Sequence, residues 1–150
     1  MFKAIIFFLL FDVSFCQSKW IKTYGADELD GANHILRLDD GYLITGFTSS
    51  FGNGGKDLWI IKTDKDRKKV WDRFYGGMYM ETGLKSIKTK DNGFIVLAQT
   101  HSYGSGSGDI WVVKIDSMGN LIWEKTYGNE NLDIASDIST SNENGFIITG

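Results

Sequence analysis

From Ala32 onward the chain reads as short apolar runs interrupted at regular intervals by Gly, Asn, Asp and Ser. The runs YLITGFTSS from Tyr42, FIVLAQTHS from Phe94 and FIITG from Phe146 each follow Asp40-Gly41, Asn92-Gly93 or Asn144-Gly145. Asp-Gly and Asn-Gly tolerate positive φ, so each pair predicts a tight hairpin between two strands. A loop of one aromatic and several glycines follows, FGNGGKD from Phe51 and YGSGSGD from Tyr103. The chain then runs into LWIIKTD and IWVVKID, turns through KDRKK or SMGN, and returns as VWDRFYG and LIWEKTYG. No helical periodicity separates these runs, and the pattern predicts strands throughout.

The runs recur at a fixed distance. Trp20, Trp71 and Trp123 open WIKTYG, WDRFYG and WEKTYG at spacings of 51 and 52 residues, and Trp59 and Trp111 are 52 apart. Four strands in a period of about 40 to 50 residues make a propeller blade. The expected fold is therefore all-β, with β-propeller blades of four antiparallel strands called a to d. Strands a and b meet at Gly41, Gly93 and Gly145, b and c at Phe51 and Tyr103, and c and d at Lys65 to Lys69 and Ser117 to Asn120. Two full blades are expected, about Ala32 to Gly76 and Gly83 to Gly128, flanked by a first d strand, Trp20 to Gly25, and by strands a and b of a third blade. Four closed blades at this period would need roughly 200 residues, so residues 17–150 are expected to be the N-terminal part of a larger propeller. An open twisted array, or several chains completing one ring, are the alternatives.

Composition narrows the class. Aromatic residues make up 14% of the chain, with 18 Gly and a formal charge of -3. That mixture suits many short strands, and the charge gives no reason to expect nucleic acid. Lys3, the apolar run Ala4 to Phe11 and the small residues Ser14 and Cys16 read as a secretory signal peptide over residues 1–16. Eight apolar residues are too few to span a bilayer, which needs about 20, so a secreted or cell-surface location without a membrane anchor is expected after cleavage. Lipidation of Cys16 is the alternative, with Phe15 an unfavourable residue before it. No other cysteine follows, so no disulfide is available to the exported chain.

Asp116, Gly119, Asn120 and Trp123 spell D-x-x-G-N-x-x-W, followed by KTYG, a polar loop, a strand, NG before an aromatic, and an apolar strand ending in TG. This pattern resembles the secreted β-propeller repeats of Bacteroidetes-type bacterial surface proteins over the whole chain after the leader. A looser likeness is to quinoprotein propeller repeats, in which a Trp eight residues after an Asp docks neighbouring blades. Here Asp64 to Trp71 and Asp116 to Trp123 are seven apart, the Thr is missing, and Lys68 stands for Gly119 in the first copy. That departure speaks against a quinone, and no cofactor is expected.

Positions that recur in every copy fit a packing frame: Trp20, Trp71, Trp123, Trp59, Trp111, Gly41, Gly93 and Gly145, with Tyr24, Tyr75 and Tyr127 closing strand d and Asp57 and Asp109 capping the b-c loops. Positions that vary fit ligand contact. The d-a and b-c loops, expected on one face, carry Asp27, Glu28 and Asp30, then Met78, Tyr79, Met80 and Glu81, then Glu130 and Asp133, beside Phe51 and Tyr103. An acidic and aromatic rim suits a glycan, a protein or a cationic ligand, while a merely solvated rim is the plain alternative. No His or Cys pair has zinc spacing, Asp64-Lys65-Asp66 lacks a calcium loop's rhythm, and the GSGSG run at Gly104 to Gly108 has no Lys-Ser/Thr after it. The expected function is ligand or protein binding without evident catalysis. The alternative is part of a quinoprotein-like or glycan-active propeller enzyme whose catalytic residues lie outside these residues.

Overall fold

The computed structural model describes residues 21–141 and 145–150. The expected leader at 1–16, Cys16 and Trp20 lie outside the described residues. Ten strands and no helix make up the described chain. Strands β1 (Asp30–Leu38), β2 (Gly41–Thr48), β3 (Asp57–Asp64) and β4 (Lys69–Tyr75) form one antiparallel sheet in chain order. A second sheet repeats it with β5 (Glu81–Lys88), β6 (Phe94–Thr100), β7 (Asp109–Ile115) and β8 (Leu121–Tyr127). Strands β9 (Asp137–Thr140) and β10 (Phe146–Thr149) pair as the start of a third. The described chain is thus all-β, with two complete four-stranded blades and the first two strands of a third, as its period predicts, whereas residues 21–25 of the expected first d strand pair with no neighbouring strand and form none. No helix among the described residues is long and apolar enough to cross a membrane.

Equivalent irregularities fall at equivalent places. The a-b ladders slip between Ala32 and His34 and between Gly83 and Lys85, and the c-d ladders slip at Lys62/Thr63 and Lys114/Ile115. At the first slip the extra residue, Asn33, turns its amide to donate to the Gly83 carbonyl of the next blade at 2.8 Å. The third-position turn residue with positive φ is Gly119 in blade 2 and Arg67, not Lys68, in blade 1. Arg67 N–H bonds Asp64 and Gly119 N–H bonds Asp116, so the aspartates fix the register of the comparison.

The blades stack face to face. Leu43, Leu58, Ile60 and Trp71 of blade 1 bury against Phe94, Val96, Ala98, Trp111, Val113 and Ile115 of blade 2. Alternate residues point to opposite faces of a strand, so Ile95, Leu97 and Val112 face the other way and cluster with Ala135, just before β9, and with Ile138, Phe146 and Ile148 of the third sheet. Strands β6 and β7 are apolar on both faces because both faces are covered, whereas β8 at the outer edge is largely exposed. The first strands touch, β1 on β5 and β5 on β9, so the sheets fan outward from their inner strands. The outer strand of blade 1 is also pinned to blade 2: Trp71 Nε1 donates to the Ser117 carbonyl at 3.2 Å, and the Tyr75 hydroxyl to that of Gly119 at 2.5 Å.

Candidate functional site

Each d-a loop is closed by a carboxylate four residues beyond the backbone N–H that it accepts. Ala26 N–H donates to Asp30 at 2.9 Å, Gly77 N–H to Glu81 at 2.8 Å and Asn129 N–H to Asp133 at 2.8 Å. In the complete blades the same carboxylate reaches the end of strand b. Thr48 Oγ1 donates to Asp30 and Thr100 Oγ1 to Glu81, and Ser50 Oγ and Ser102 N–H add a bond to each. The threonine oxygens in turn accept the N–H groups of Ser50 and Phe51, or of Ser102 and Tyr103, which starts the b-c loop. Burial pushes the Asp30 carboxyl up, but the Thr48 hydroxyl and the Ala26 and Ser50 N–H groups outweigh it and hold it below the usual range.

The b-c loops close in the same manner. Asp57 accepts Asn53 N–H at 3.0 Å and Asp109 accepts Ser105 N–H at 3.1 Å. Gly52 and Gly104, at φ 103° and 99°, sit where a Cβ would lie 2.0 Å and 2.4 Å from those carboxylates, so the loop needs glycine for conformation and for room. Asp57 and Glu81 are both buried, and a Cβ at Gly76 would lie 2.1 Å from an Asp57 oxygen and 2.5 Å from a Glu81 oxygen. Burial raises the Asp57 carboxyl above its ordinary value, with the Asn53 N–H opposing and the Glu81 charge adding to the rise.

The two kinds of loop meet on one face. Lys56 bridges Met80 and Gly108 bridges Leu132, and the Tyr79 carbonyl accepts Gly55 N–H at 2.9 Å. On that face the candidate residues divide. Asp30, Glu81 and Asp133 are engaged inside the loops. The Phe51 ring lies against Trp59 at 5.9 Å and Phe74 at 5.4 Å, and the Tyr103 ring against Trp111 at 5.3 Å. The Tyr103 hydroxyl also donates to the Gly76 carbonyl at 2.9 Å. Asp27, Glu28 and Glu130 stay exposed, as does Tyr79 at 63%, between Met78 at 81% and Met80 at 46%. Leu29, Met80 and Leu132 occupy the same loop position in successive copies, and all three are exposed.

The recurring residues lie elsewhere. Trp59, Trp71 and Trp111 are buried, Trp123 stacks on Phe146 at 6.3 Å, and Gly41, Gly93 and Gly145 sit at the opposite, a-b turns. The clasp threonines were visible in the sequence as T-x-S at Thr48 and Thr100, a pattern shared by both b-c loops. His34 Nδ1 lies 3.4 Å from Ser86 Oγ, which is buried under Thr45. Burial lowers the His34 pKa, and the Lys85 charge adds to this. Among the described residues no group of three His, Cys, Asp or Glu side chains is placed to hold a metal ion. Scanned against models of known protein families the chain matches none, and a search of curated proteins finds no match.

Proposed function

We propose that this chain is a secreted or surface-displayed β-propeller module that binds a glycan or protein partner through its d-a and b-c loop face. The carrying observation is the exposed Met78-Tyr79-Met80 segment, held on a loop whose Gly77 and Tyr79 N–H groups are already paired. An aromatic ring presented on a fixed backbone gives contact area at little entropic cost. Asp27, Glu28 and Glu130 supply solvent-facing carboxylates on the same face. The apolar N-terminal segment supports export.

The test is a glycan array and quantitative binding to candidate surface proteins, with purified wild type, Met78→Ala and Tyr79→Ala. The reading expects at least one ligand whose affinity falls about tenfold or more in either variant, with thermal melting unchanged. Ligands that bind all three forms equally would remove its basis.

A further inference from the structure

The loop face carries negative charge that no neighbouring cation neutralises. Among the described residues the ion pairs join Lys62 to Asp40, Lys69 to Asp72, Lys85 to Asp137, Lys88 to Asp39 and Lys114 to Asp91, and none of them involves a carboxylate of the d-a or b-c loops. Asp30, Glu81 and Asp133, with Asp57 and Asp109, close those loops by accepting N–H groups, which leaves their charge in place. Asp27, Glu28 and Glu130 add exposed carboxylates. Lys56 is the one lysine or arginine in these loops, and its Nζ lies over the Phe47 ring, 4.5 Å from the centroid. The Tyr103 hydroxyl registers the excess: burial first, then the charges of Glu124, Glu81 and Asp57, push its pKa up.

The apolar part of the face sits in the middle of this field. Strand β1 touches β5 and β5 touches β9, so the d-a loops that lead into them follow one another across the face. Met78, Tyr79 and Met80 occupy the middle loop, with Glu28 on the preceding one and Glu130 on the following one. Two complete blades bound the middle loop, and the bridge from Lys56 to Met80 ties it to the first b-c loop. A tyrosine face attracts Lys and Arg, and flexible thioethers adapt to varied apolar side chains. Neutral sugars leave the field unused and acidic ones are repelled by it, whereas a cationic segment is drawn in and held.

We propose that this face takes a basic, extended polypeptide segment, with an apolar side chain on Met78-Tyr79-Met80 and Lys or Arg side chains directed to Glu28 on one side and Glu130 on the other. The inference rests on the loop face being the binding surface and adds the chemistry of the partner.

The probe is the labelled peptide KLKFKLK, titrated into the purified chain by fluorescence anisotropy. Controls are ELEFELE, which reverses the charge, and KGKGKGK, which removes the apolar side chains. Saturable one-to-one binding is expected for the first peptide alone, weakening as salt is added. Tyr79→Ala, and Glu28→Lys combined with Glu130→Lys, should each weaken it about tenfold or more. Asp66→Lys, a charge reversal at a c-d turn on the opposite face, should leave it unchanged. All four positions are exposed, so the fold is retained. Equal binding of KLKFKLK and either control, no binding, binding that survives both loop-face changes, or an equal loss with Asp66→Lys would overturn the inference. A glycan whose binding needs Tyr79, found with no binding of KLKFKLK, would overturn it while the loop-face reading stands. Loss of both would remove that reading as well.

Discussion

Leu58 and Gly83 meet across the seam between the blades, and their pairing allows the stacking to be measured as a coupling energy. Leu58 is fully buried there, and a Cβ built on Gly83 would lie 2.3 Å from Leu58 Cδ1, 2.7 Å from Thr45 Cγ2 and 2.9 Å from the Gly46 carbonyl oxygen. Leu58→Ala removes buried methyl groups and leaves a void, which costs about 2–5 kcal/mol, and about 3 kcal/mol is expected in a seam closed on both sides. Gly83→Ala overfills the same place, at about 1–3 kcal/mol, less about 0.5 kcal/mol for the stiffer unfolded chain. The double variant lets the new methyl group enter the space vacated by Leu58, and only the Thr45 and Gly46 contacts remain to be relieved. It should therefore be more stable than the sum of the two losses by about 1 kcal/mol or more. Urea unfolding followed by tryptophan emission supplies the four free energies. Additivity within about 0.5 kcal/mol would mean that the two residues do not touch and that the seam is packed otherwise.

Two further outcomes follow from buried ionisable groups. Burial raises the Tyr75 hydroxyl well above its ordinary value, with Arg73 opposing. A raised folded value favours the neutral form, so its contribution is complete below the unfolded pKa of about 10 and is lost as pH rises beyond it. Tyr75→Phe should lower stability near pH 8 by about 1 kcal/mol, as for one lost hydrogen bond, and should flatten the alkaline fall, as read by denaturation at pH 8 to 11. A variant with the wild-type alkaline slope would contradict this. The Asp57 carboxyl is also raised, by burial first. Its favourable contribution is complete below the unfolded value of about 3.9 and is lost as pH rises through the folded value. Asp57→Asn should remove that component from stability profiles between pH 3 and 7, and an unchanged profile would refute it.

The frame was legible because strand chemistry is local and repeated. Turn residues at Asp40-Gly41 and Asn92-Gly93 and unbroken apolar runs such as FIVLA mark strands covered on both faces, and the observed strands begin and end within a few residues of the expected blades. The loops were harder. A carboxylate in a polar loop looks the same in sequence whether it faces solvent or closes its own backbone. Glu81 and Asp30 bind N–H and hydroxyl groups that only the folded b-c loop brings near. Phe51 and Tyr103 look like ligand-facing aromatics, yet the glycine-rich loops fold their rings onto Trp59 and Trp111. The counterpart of Gly119 is Arg67 and not Lys68, as the 52-residue spacing from Asp64 to Asp116 requires and the positive φ of both residues bears out.

The division between a recurring frame and variable loop contacts is tested most directly by measuring unfolding free energy for Glu81→Ala and Tyr79→Ala side by side. Glu81 is buried and accepts from Gly77 N–H, Thr100 Oγ1 and Ser102 N–H at 2.8, 2.9 and 3.1 Å. Truncation leaves those donors unpaired and should cost about 3–5 kcal/mol. The exposed Tyr79 ring should cost no more than about 0.5 kcal/mol. A neutral Glu81→Ala, or a Tyr79→Ala that destabilises as strongly, would contradict the division.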